Sequence, residues 1–384
     1  MIYLDHAATT PLAPEALEAM RPYLESAYGN ASSLHAAGRK ARAAVETARE
    51  EVADALGVTP LEVLFTSGGT EADNQALKGL AWEGRAAGRG SHIVTTAIEH
   101  HAVIESAEWL AAHEGFALDV VPPEPDGVVD PERLLAAVRD DTVVVSVMAA
   151  NNEIGTVQPL EAIGPALRER GVPLHSDGVQ AFGRLPMDLG EWGVGALALS
   201  AHKFNGPKGV GVLVLDRALS PHPVLHGGGQ ERGVRSGTLN TPGIVGCGIA
   251  ARITASTMDV EAPRLRALGA RLRAGLLAVD GVTLNGSEGR RLPHNVHVGV
   301  EGCDGEALLL GLDAAGVAGS TGSACQSGAA EASHVLTAIG ARTEEVAHLR
   351  LTCGRSTTDG DVDKAVAVFA DVVGGLRAAG GGFV

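Results

Sequence analysis

Short runs of β-branched and aliphatic residues alternate with helix-length Ala, Leu and Glu segments between about residues 60 and 216. This alternation predicts repeated βα units, and such units form a mainly parallel sheet covered by helices. We expect seven strands, at 63–66, 93–96, 118–121, 143–147, 173–176, 196–200 and 211–215. Each is followed by a loop rich in Gly, Asn, Asp or His, and loops at the carboxyl ends of strands are where open α/β sheets bind ligands.

The pattern changes after a long Ala/Arg/Leu segment at about 241–279. Strands expected at 295–300 and 349–352 are separated by helical segments, which is typical of a smaller α+β domain. We therefore predict a large domain over 16–255 and a small domain formed by 1–15 and 256–384, with a loose Gly-rich tail at 379–384.

The composition excludes several classes of protein. The 384 residues include 30 Lys and Arg against 46 Asp and Glu, a net charge of −16 that argues against direct binding of nucleic acid. The first residues lack the basic region of a signal peptide, and no apolar run approaches the ~18 residues of a membrane helix, so we expect a cytoplasmic protein. The four cysteines lie far apart without a CxxC motif, so neither a disulfide framework nor a metal site is predicted.

A lysine follows one of the predicted strands at the point where the sheet should bind ligands. Lys203 comes after an apolar strand, stands beside His202 and precedes a Gly/Pro turn. A partly desolvated lysine of this kind could have a lowered pKa and form a Schiff base with the aldehyde of a cofactor. A solvated loop lysine is the alternative, and Lys208 in the Pro-Lys-Gly turn is the competing candidate.

Two other strand ends carry polar residues that would suit such a cofactor. Asp177 ends a predicted strand and could pair with a pyridinium nitrogen, although an Asp that caps the next helix is equally compatible. The sequence TSGGTE at 66–71 lies between a strand and a helix start, where free N–H groups favour a phosphate. Thr70 would be its side-chain donor, and an ordinary glycine turn with a Thr cap is the alternative.

The loops after two further strands contain candidates for contact with a planar ring. His100 could stack on the ring, and Asn152 could hydrogen-bond a ring hydroxyl oxygen. The neighbouring His101 and Asn151 could instead serve only to satisfy backbone groups of the loops.

Together these segments resemble a known family, the PLP-dependent cysteine desulfurases of the class V aminotransferase superfamily. The resemblance covers nearly the whole chain in order. The sequence STGSACQSG is similar to the active-site loop of the NifS/IscS-like branch rather than to the Arg-x-Gly-His-His-Cys form of the other branch. The matching segments are YLDHAATT (3–10), GNASSLH (29–35), TSGGTE (66–71), NNEIG (151–155), SAHK (200–203), HGGGQERGVRSGT (226–238) and STGSACQSG (320–328).

The resemblance implies a homodimeric fold-type I PLP enzyme, an α/β fold in which the seven-stranded sheet belongs to the large domain. Lys203 would bind PLP covalently, and Asp177 would pair with the ring nitrogen. His100 would stack over the ring, while Asn152 and Gln180 would contact its polar substituents.

The resemblance also implies how the cofactor phosphate is held. Gly69, Thr70, Ser200 and His202 would bind the phosphate within one subunit. Thr238 matches the position that reaches the phosphate of the partner subunit in the homodimer.

The implied reaction converts L-cysteine to L-alanine and leaves a persulfide on Cys325, which lies between Gly322 and Gly328. Lys203 or His100 would act as the base. Arg350 matches the arginine that binds the substrate carboxylate and Asn152 also lies on the substrate side, although Arg355 could exchange roles with Arg350.

The sulfur would pass to an acceptor protein, either an iron–sulfur scaffold or a tRNA-thiolation enzyme. The tail lacks the C-terminal extension that some members use to dock a scaffold, so the acceptor stays open. A selenocysteine lyase, another class V lyase or aminotransferase, and a non-catalytic sulfur carrier are the alternative functions.

Three other cysteines are present, and two residues depart from the family pattern. Cys247 and Cys353 are expected in the core, and the role of Cys303 is left open. His6 replaces a frequent Asn, and Ala332 stands where Pro is common; both changes are expected to be tolerated.

Overall fold

The structure is a computed structural model that describes residues 1–322, 333–343 and 346–380. Its strands are β1 (Ile2–Tyr3), β2 (Val63–Thr66), β3 (His92–Thr96), β4 (Ala117–Val121), β5 (Thr142–Ser146), β6 (Leu174–Asp177), β7 (Val194–Ser200), β8 (Gly211–Leu215), β9 (Val282–Leu284), β10 (Asn295–Glu301), β11 (Val317–Ala318) and β12 (Val346–Thr352). Its helices are α1 (Pro14–Glu25), α2 (Ala36–Leu56), α3 (Gly69–Ala86), α4 (His101–Glu114), α5 (Pro131–Ala137), α6 (Leu160–Glu169), α7 (Thr241–Leu277), α8 (Gly305–Ala314), α9 (His334–Ala338) and α10 (Asp359–Gly380). The described part of the chain has no helix long and apolar enough to cross a membrane.

The α/β fold with a mainly parallel seven-stranded sheet is confirmed. The strand order is β2-β8-β7-β6-β5-β3-β4, and every neighbouring pair is parallel except the two that involve β8. Only about ten residues connect β7 to β8, which is too short for a parallel crossover and explains the antiparallel pairing. The parallel strands β3, β5, β6 and β7 therefore end at the same edge of the sheet.

Helices cover both faces of this sheet because its strands present apolar side chains on alternate sides. Leu197 and Leu199 of β7 pack in one cluster with α2 and the first half of α7. Ala196 and Ala198 of the same strand pack on the opposite face with α3 and α4. The alternation follows the two-residue period of a β-strand and explains why the whole of β5 is buried.

A third apolar cluster surrounds the antiparallel sheet β12-β10-β9, which packs against α8, α10 and the second half of α7. Leu4 from the N-terminal segment joins this cluster, while Val335 and Leu336 of α9 pack with the large sheet. These clusters support our proposal of a large domain over 16–255 and a small domain over 1–15 and 256–384. The helix α7 crosses the proposed boundary.

An ion pair caps the free edge of the large sheet at β2. Arg49 Nη1 donates to the carbonyl oxygen of Val63 over 2.7 Å, and Glu231 Oε2 accepts from the Phe65 N–H over 2.7 Å. The two side chains also pair with each other over 2.7 and 2.9 Å and are almost fully buried. They satisfy backbone groups that would otherwise be open to pairing with another strand.

Substitution of this cap tests its contribution to stability. Glu231→Gln removes the only buried counter-charge that the described residues offer Arg49 and leaves it the half-exposed Glu46, so we expect the free energy of unfolding to fall by about 3 to 5 kcal/mol. Urea denaturation followed by circular dichroism measures the change. Glu46→Gln is the matched control, because Glu46 also contacts Arg49 over 3.1 Å but is 46% exposed, and it should cost less than about 1 kcal/mol. Equal losses for the two variants would contradict the edge-capping role.

Candidate active site

A cavity of about 340 Å³ lies at the edge where the parallel strands end. It contains the nine residues predicted to hold the cofactor within one subunit, together with Arg350. The predicted Thr238 is exposed and lies outside this cavity. The lining residues are Ala7, Ala8, Gly69, Thr70, Asp73, His100, Met148, Asn152, Asp177, Val179, Gln180, Ser200, His202, Lys203, Gly322 and Arg350.

Lys203 occupies a single turn of 3-10 helix, Ala201–Lys203, directly after β7. Its Nζ donates to the carbonyl oxygens of Ala7 and Ala8 over 2.6 and 2.8 Å. These two contacts hold the amine against the N-terminal segment inside the cavity. Lys208, the competing candidate, is exposed and does not line the cavity, so the geometry favours Lys203.

Asp177 is the last residue of β6 and is only 5% exposed. Its Oδ1 accepts from the Val179 N–H over 2.9 Å. Burial raises the pKa of Asp177 above its ordinary value, although His100, the Val179 N–H and Lys203 each act to lower it. A cation bound against this carboxylate would be held strongly, because a buried charge is stabilised by an opposite charge at close range.

His100 caps the N-terminus of α4, and its Nδ1 accepts from the Ala102 N–H over 3.1 Å. We therefore assign the proton of the neutral ring to Nε2. Burial lowers the pKa of His100, and Lys203, His101 and His334 lower it further against the opposing effect of Asp177. The imidazole is thus a neutral hydrogen-bond donor at Nε2 at neutral pH.

The N-terminus of α3 forms the other end of the cavity. The helix begins at Gly69 without a side-chain cap, so its first N–H groups and its dipole are suited to an anion. A Cβ on Gly69 would lie 2.9 Å from Cγ2 of Val179 and 3.4 Å from Cβ of Ser200. Any side chain at this position would therefore force Val179, in the turn after β6, or the start of α3 to shift.

His202 and the loop before α7 also reach this end of the site. His202 Nδ1 lies 3.1 Å from Thr9 Oγ1, and burial with the nearby Lys203 and Lys208 lowers the pKa of His202 to about 4. It would bind an anion as a neutral donor. Glu71 in the first turn of α3 pairs with Arg235 over 2.6 Å, which ties the loop carrying Thr238 to this helix.

Arg350 of β12 closes the cavity from the small-domain side and is 2% exposed. Its Nη2 donates to Asp5 Oδ1 over 2.9 Å, and its Nη1 donates to the Asn152 carbonyl oxygen over 2.8 Å. Among the described residues its Nε has no hydrogen-bond partner, which leaves a buried donor for a carboxylate ligand. Arg355 is exposed and lines a different, smaller cavity near Arg184.

The predicted nucleophile Cys325 and its neighbours at 323–332 lie outside the described residues. Gly322, three residues before Cys325 in the sequence, lines the cavity. Cys247 and Cys353 are buried in the apolar clusters, and burial raises the pKa of each thiol to about 12. Cys303 is also buried, and its pKa is raised by burial despite the nearby Arg377.

Sequence reasoning missed several residues of the cavity. Ala7 and Ala8 contribute carbonyl oxygens, for which the residue type gives no signal. Met148 and Val179 are apolar walls beside the strand ends. Asp73 had a usable signal, because it lies one helical turn after Gly69 on the face of α3 that carries the buried Ala72 and Ala76.

The chain is similar to known proteins over nearly its whole length. Residues 2–365 match the family model described as aminotransferase class-V. The chain is 48% identical to an IscS-like cysteine desulfurase of Mycobacterium tuberculosis, over 99% of this chain and 98% of the relative. A solved NifS-like protein superposes with a TM-score of 0.90 at 36% identity, covering 97% of this chain and 99% of that chain. A structure of SspA in complex with cysteine gives a TM-score of 0.78 at 34% identity, covering 92% of this chain and 98% of that chain.

The close approach at Gly69 generates a prediction about ligand binding. Gly69→Ala pushes the start of α3 away from Val179, so we expect affinity for a phosphate-bearing ligand, with PLP as the probe, to fall at least about tenfold, equivalent to about 1.4 kcal/mol. Absorbance titration of cofactor-free protein with PLP measures it. Gly68→Ala is the control, because a Cβ there meets no atom within 4 Å, and it should change the affinity by less than about threefold. A larger loss for the control than for Gly69→Ala would show that packing at Gly69 is not what shapes the anion end of the site.

Proposed function

The chain belongs to the class V aminotransferase family, and from this premise we propose that it is a PLP-dependent cysteine desulfurase. It converts L-cysteine to L-alanine and transfers the sulfur to Cys325 as a persulfide. The observation that carries the proposal is the shared cavity of Lys203, Asp177 and Arg350, which offers an amine, a buried carboxylate and a buried guanidinium donor. These groups suit an aldehyde, a ring nitrogen and an amino-acid carboxylate respectively.

The residues present fit PLP at both ends of the cavity. The close-packed Gly69 and the uncapped start of α3 suit the phosphate, and the Asp177 carboxylate suits a protonated ring nitrogen. Thr70, Ser200 and His202 would add donors to the phosphate. When bound, PLP would withdraw electrons from the substrate α-carbon and so ease the loss of its proton.

His100, Asn152 and Gln180 would hold the ring and its substituents. His100 would lie over the ring and offer its Nε2–H as a donor. Gln180 is fixed by a hydrogen bond from its Nε2 to the Ala7 carbonyl oxygen over 3.0 Å, which orients its amide at the cavity wall.

Proton transfer is assigned to Lys203 rather than to His100. The Nδ1 of His100 already accepts from the Ala102 N–H, so this nitrogen could take a proton only by breaking the cap of α4. Lys203 Nζ is held at the cavity by backbone carbonyls that a bound ligand can replace. It would take the proton from the substrate α-carbon and return a proton as alanine forms.

Sulfur transfer is assigned to Cys325. Its thiolate attacks the substrate sulfur, the carbon–sulfur bond breaks, and protonation of the carbon completes L-alanine. The described cysteines are buried with raised pKa values, which makes them poor thiolates. The persulfide would then pass to an acceptor protein, an iron–sulfur scaffold or a tRNA-thiolation enzyme.

We propose a homodimer in which Thr238 reaches the cofactor phosphate of the partner subunit. Its exposure outside its own cavity and the Glu71–Arg235 pair that ties its loop to α3 support this proposal. Cytoplasmic location stays a prediction from the sequence.

A joint assay of both products tests the proposed reaction. Purified protein with PLP, L-cysteine and a reductant should release alanine and sulfide in equal amounts. Cys325→Ala should reduce the rates of alanine and sulfide release at least about 100-fold, because the substrate sulfur then has no thiol to accept it. Cys303→Ala is the control and should retain activity. Full activity of Cys325→Ala would favour a selenocysteine lyase or another class V lyase, and inactivity of the wild type would favour a non-catalytic carrier.

Arg350→Lys tests the substrate carboxylate site. Lysine keeps the charge but loses the planar fork and the free Nε donor, so we expect KM for cysteine to rise at least about tenfold with a smaller change in kcat. Steady-state alanine formation measures both constants. Arg355→Lys should leave KM within about twofold, and the opposite ranking of the two variants would assign the carboxylate to Arg355.

A further inference from the structure

Asp73 is a cavity residue to which the proposed reaction gives no role. It lies on α3 one turn after Gly69, is 1% exposed and lines the cavity together with His100 and Asp177. Its carboxylate oxygen, an oxygen of Asp177 and a nitrogen of His100 all lie within 4.8 Å of one another. Two carboxyl groups therefore share the buried floor of the site.

Within the described ranges, the groups that face Asp73 offer it no counter-charge. From β6, His175 Nε2 lies 3.4 Å from Asp73 Oδ1, while His175 Nδ1 lies 2.8 Å from Ser146 Oγ. Complete burial lowers the pKa of His175 to about 3, so this contact is between neutral imidazole and Asp73 rather than an ion pair. From the loop after β3, the buried Glu99 adds a further carboxyl group, and its pKa is raised to about 8.

The two aspartates differ in their hydrogen bonds. Asp177 Oδ1 accepts from the Val179 N–H, and the charge of Lys203 acts to stabilise its ionised form. Asp73 Oδ1 has no hydrogen-bond partner within the described part of the chain. Burial, Asp177 and Glu99 together raise the pKa of Asp73 well above its ordinary value. Because two close carboxylates in a dry site cannot both ionise, the proton belongs on Asp73.

We infer that Asp73 is a positioning residue that remains a neutral carboxylic acid between His175 and Asp177 and keeps Asp177 as the single anion on the floor of the cavity. This inference rests on the proposed function for its purpose, since Asp177 is the group assigned to the ring nitrogen of PLP. The acid hydroxyl of Asp73 would be a hydrogen-bond donor facing the neutral His175, whose Nε2 lies 3.4 Å from Asp73 Oδ1, and it would add no second negative charge beside Asp177.

Infrared spectroscopy of cofactor-free protein tests the protonation state without any enzyme assay. The difference spectrum between wild type and Asp73→Asn near neutral pH should show loss of the carbonyl stretch of a carboxylic acid. Glu99→Gln is the matched control, because the buried Glu99 would contribute an acid band of its own. Glu99→Gln identifies that band, and the same band must persist in the spectrum of Asp73→Asn. Loss of a carboxylate band in Asp73→Asn would overturn the inference.

Proton linkage gives a second readout in the same protein. The raised folded-state pKa means that the acid form of Asp73 favours the folded protein, and this stability is lost as pH rises from the ordinary aspartate value through the folded pKa. The wild type should therefore take up about one proton more on folding than Asp73→Asn over this range. Equal proton uptake by the two proteins would overturn the inference.

PLP titration tests the positioning role. Asp73→Asn keeps a neutral donor and should retain PLP affinity within about threefold and the same pH midpoint of the visible band. Asp73→Ala removes the donor and should shift that midpoint, whereas Asp73→Asn, which keeps a donor, should retain the wild-type midpoint. An equal shift of the pH midpoint in both variants would mean that wild-type Asp73 is ionised. An unchanged midpoint in Asp73→Ala would mean that Asp73 serves only in packing. Either result would overturn the proposal. Failure of cysteine turnover in wild type would refute the proposed function while leaving the infrared result intact.

Discussion

The parallel pairing of β3, β5, β6 and β7 is the constraint on which the site depends. Because these strands end at one edge, the residues that follow them converge without any need for a long ordered loop. Asp177 is the last residue of β6, and Lys203 lies three residues after the end of β7. Hydrogen-bonded neighbours on both sides fix these strands, so a carboxylate and an amine are held in register at the same opening.

The small-domain side then completes the site through residues that are far apart in sequence. Asp5 forms an isolated bridge with Thr352 and an ion pair with Arg350, so the N-terminal segment and β12 form one wall. The same segment supplies the carbonyl oxygens that hold Lys203. Opening of the contact between the two proposed domains would therefore separate the amine from the guanidinium, the two groups that the proposed function assigns to proton transfer and to the substrate carboxylate.

The sequence predicted the parts of the structure that are marked by a long apolar run or by a chemically distinctive side chain. The nine predicted strands are present with ends within three residues, because their apolar runs are bounded by Gly, Asn or Asp. The two- and three-residue strands β1, β9 and β11 were not predicted, since so few residues show no period. Lys203 and Asp177 could be found because a charged residue after an apolar strand is conspicuous. The contribution of Ala7 and Ala8 could not be found from the sequence, because these residues act through their backbone carbonyl groups.

The charge balance of the cavity keeps its histidines neutral, which suits them to the donor roles proposed for them. Lys203 lies beside both His100 and His202, and its charge adds to burial in lowering the pKa of each ring. A neutral ring can donate to an anion without adding a third cation to the cavity beside Lys203 and Arg350. In the proposed function the phosphate would be bound by backbone N–H groups, the α3 dipole and side-chain donors that include the neutral His202. Because the pKa of His202 is lowered to about 4, none of these donors would change its protonation near neutral pH.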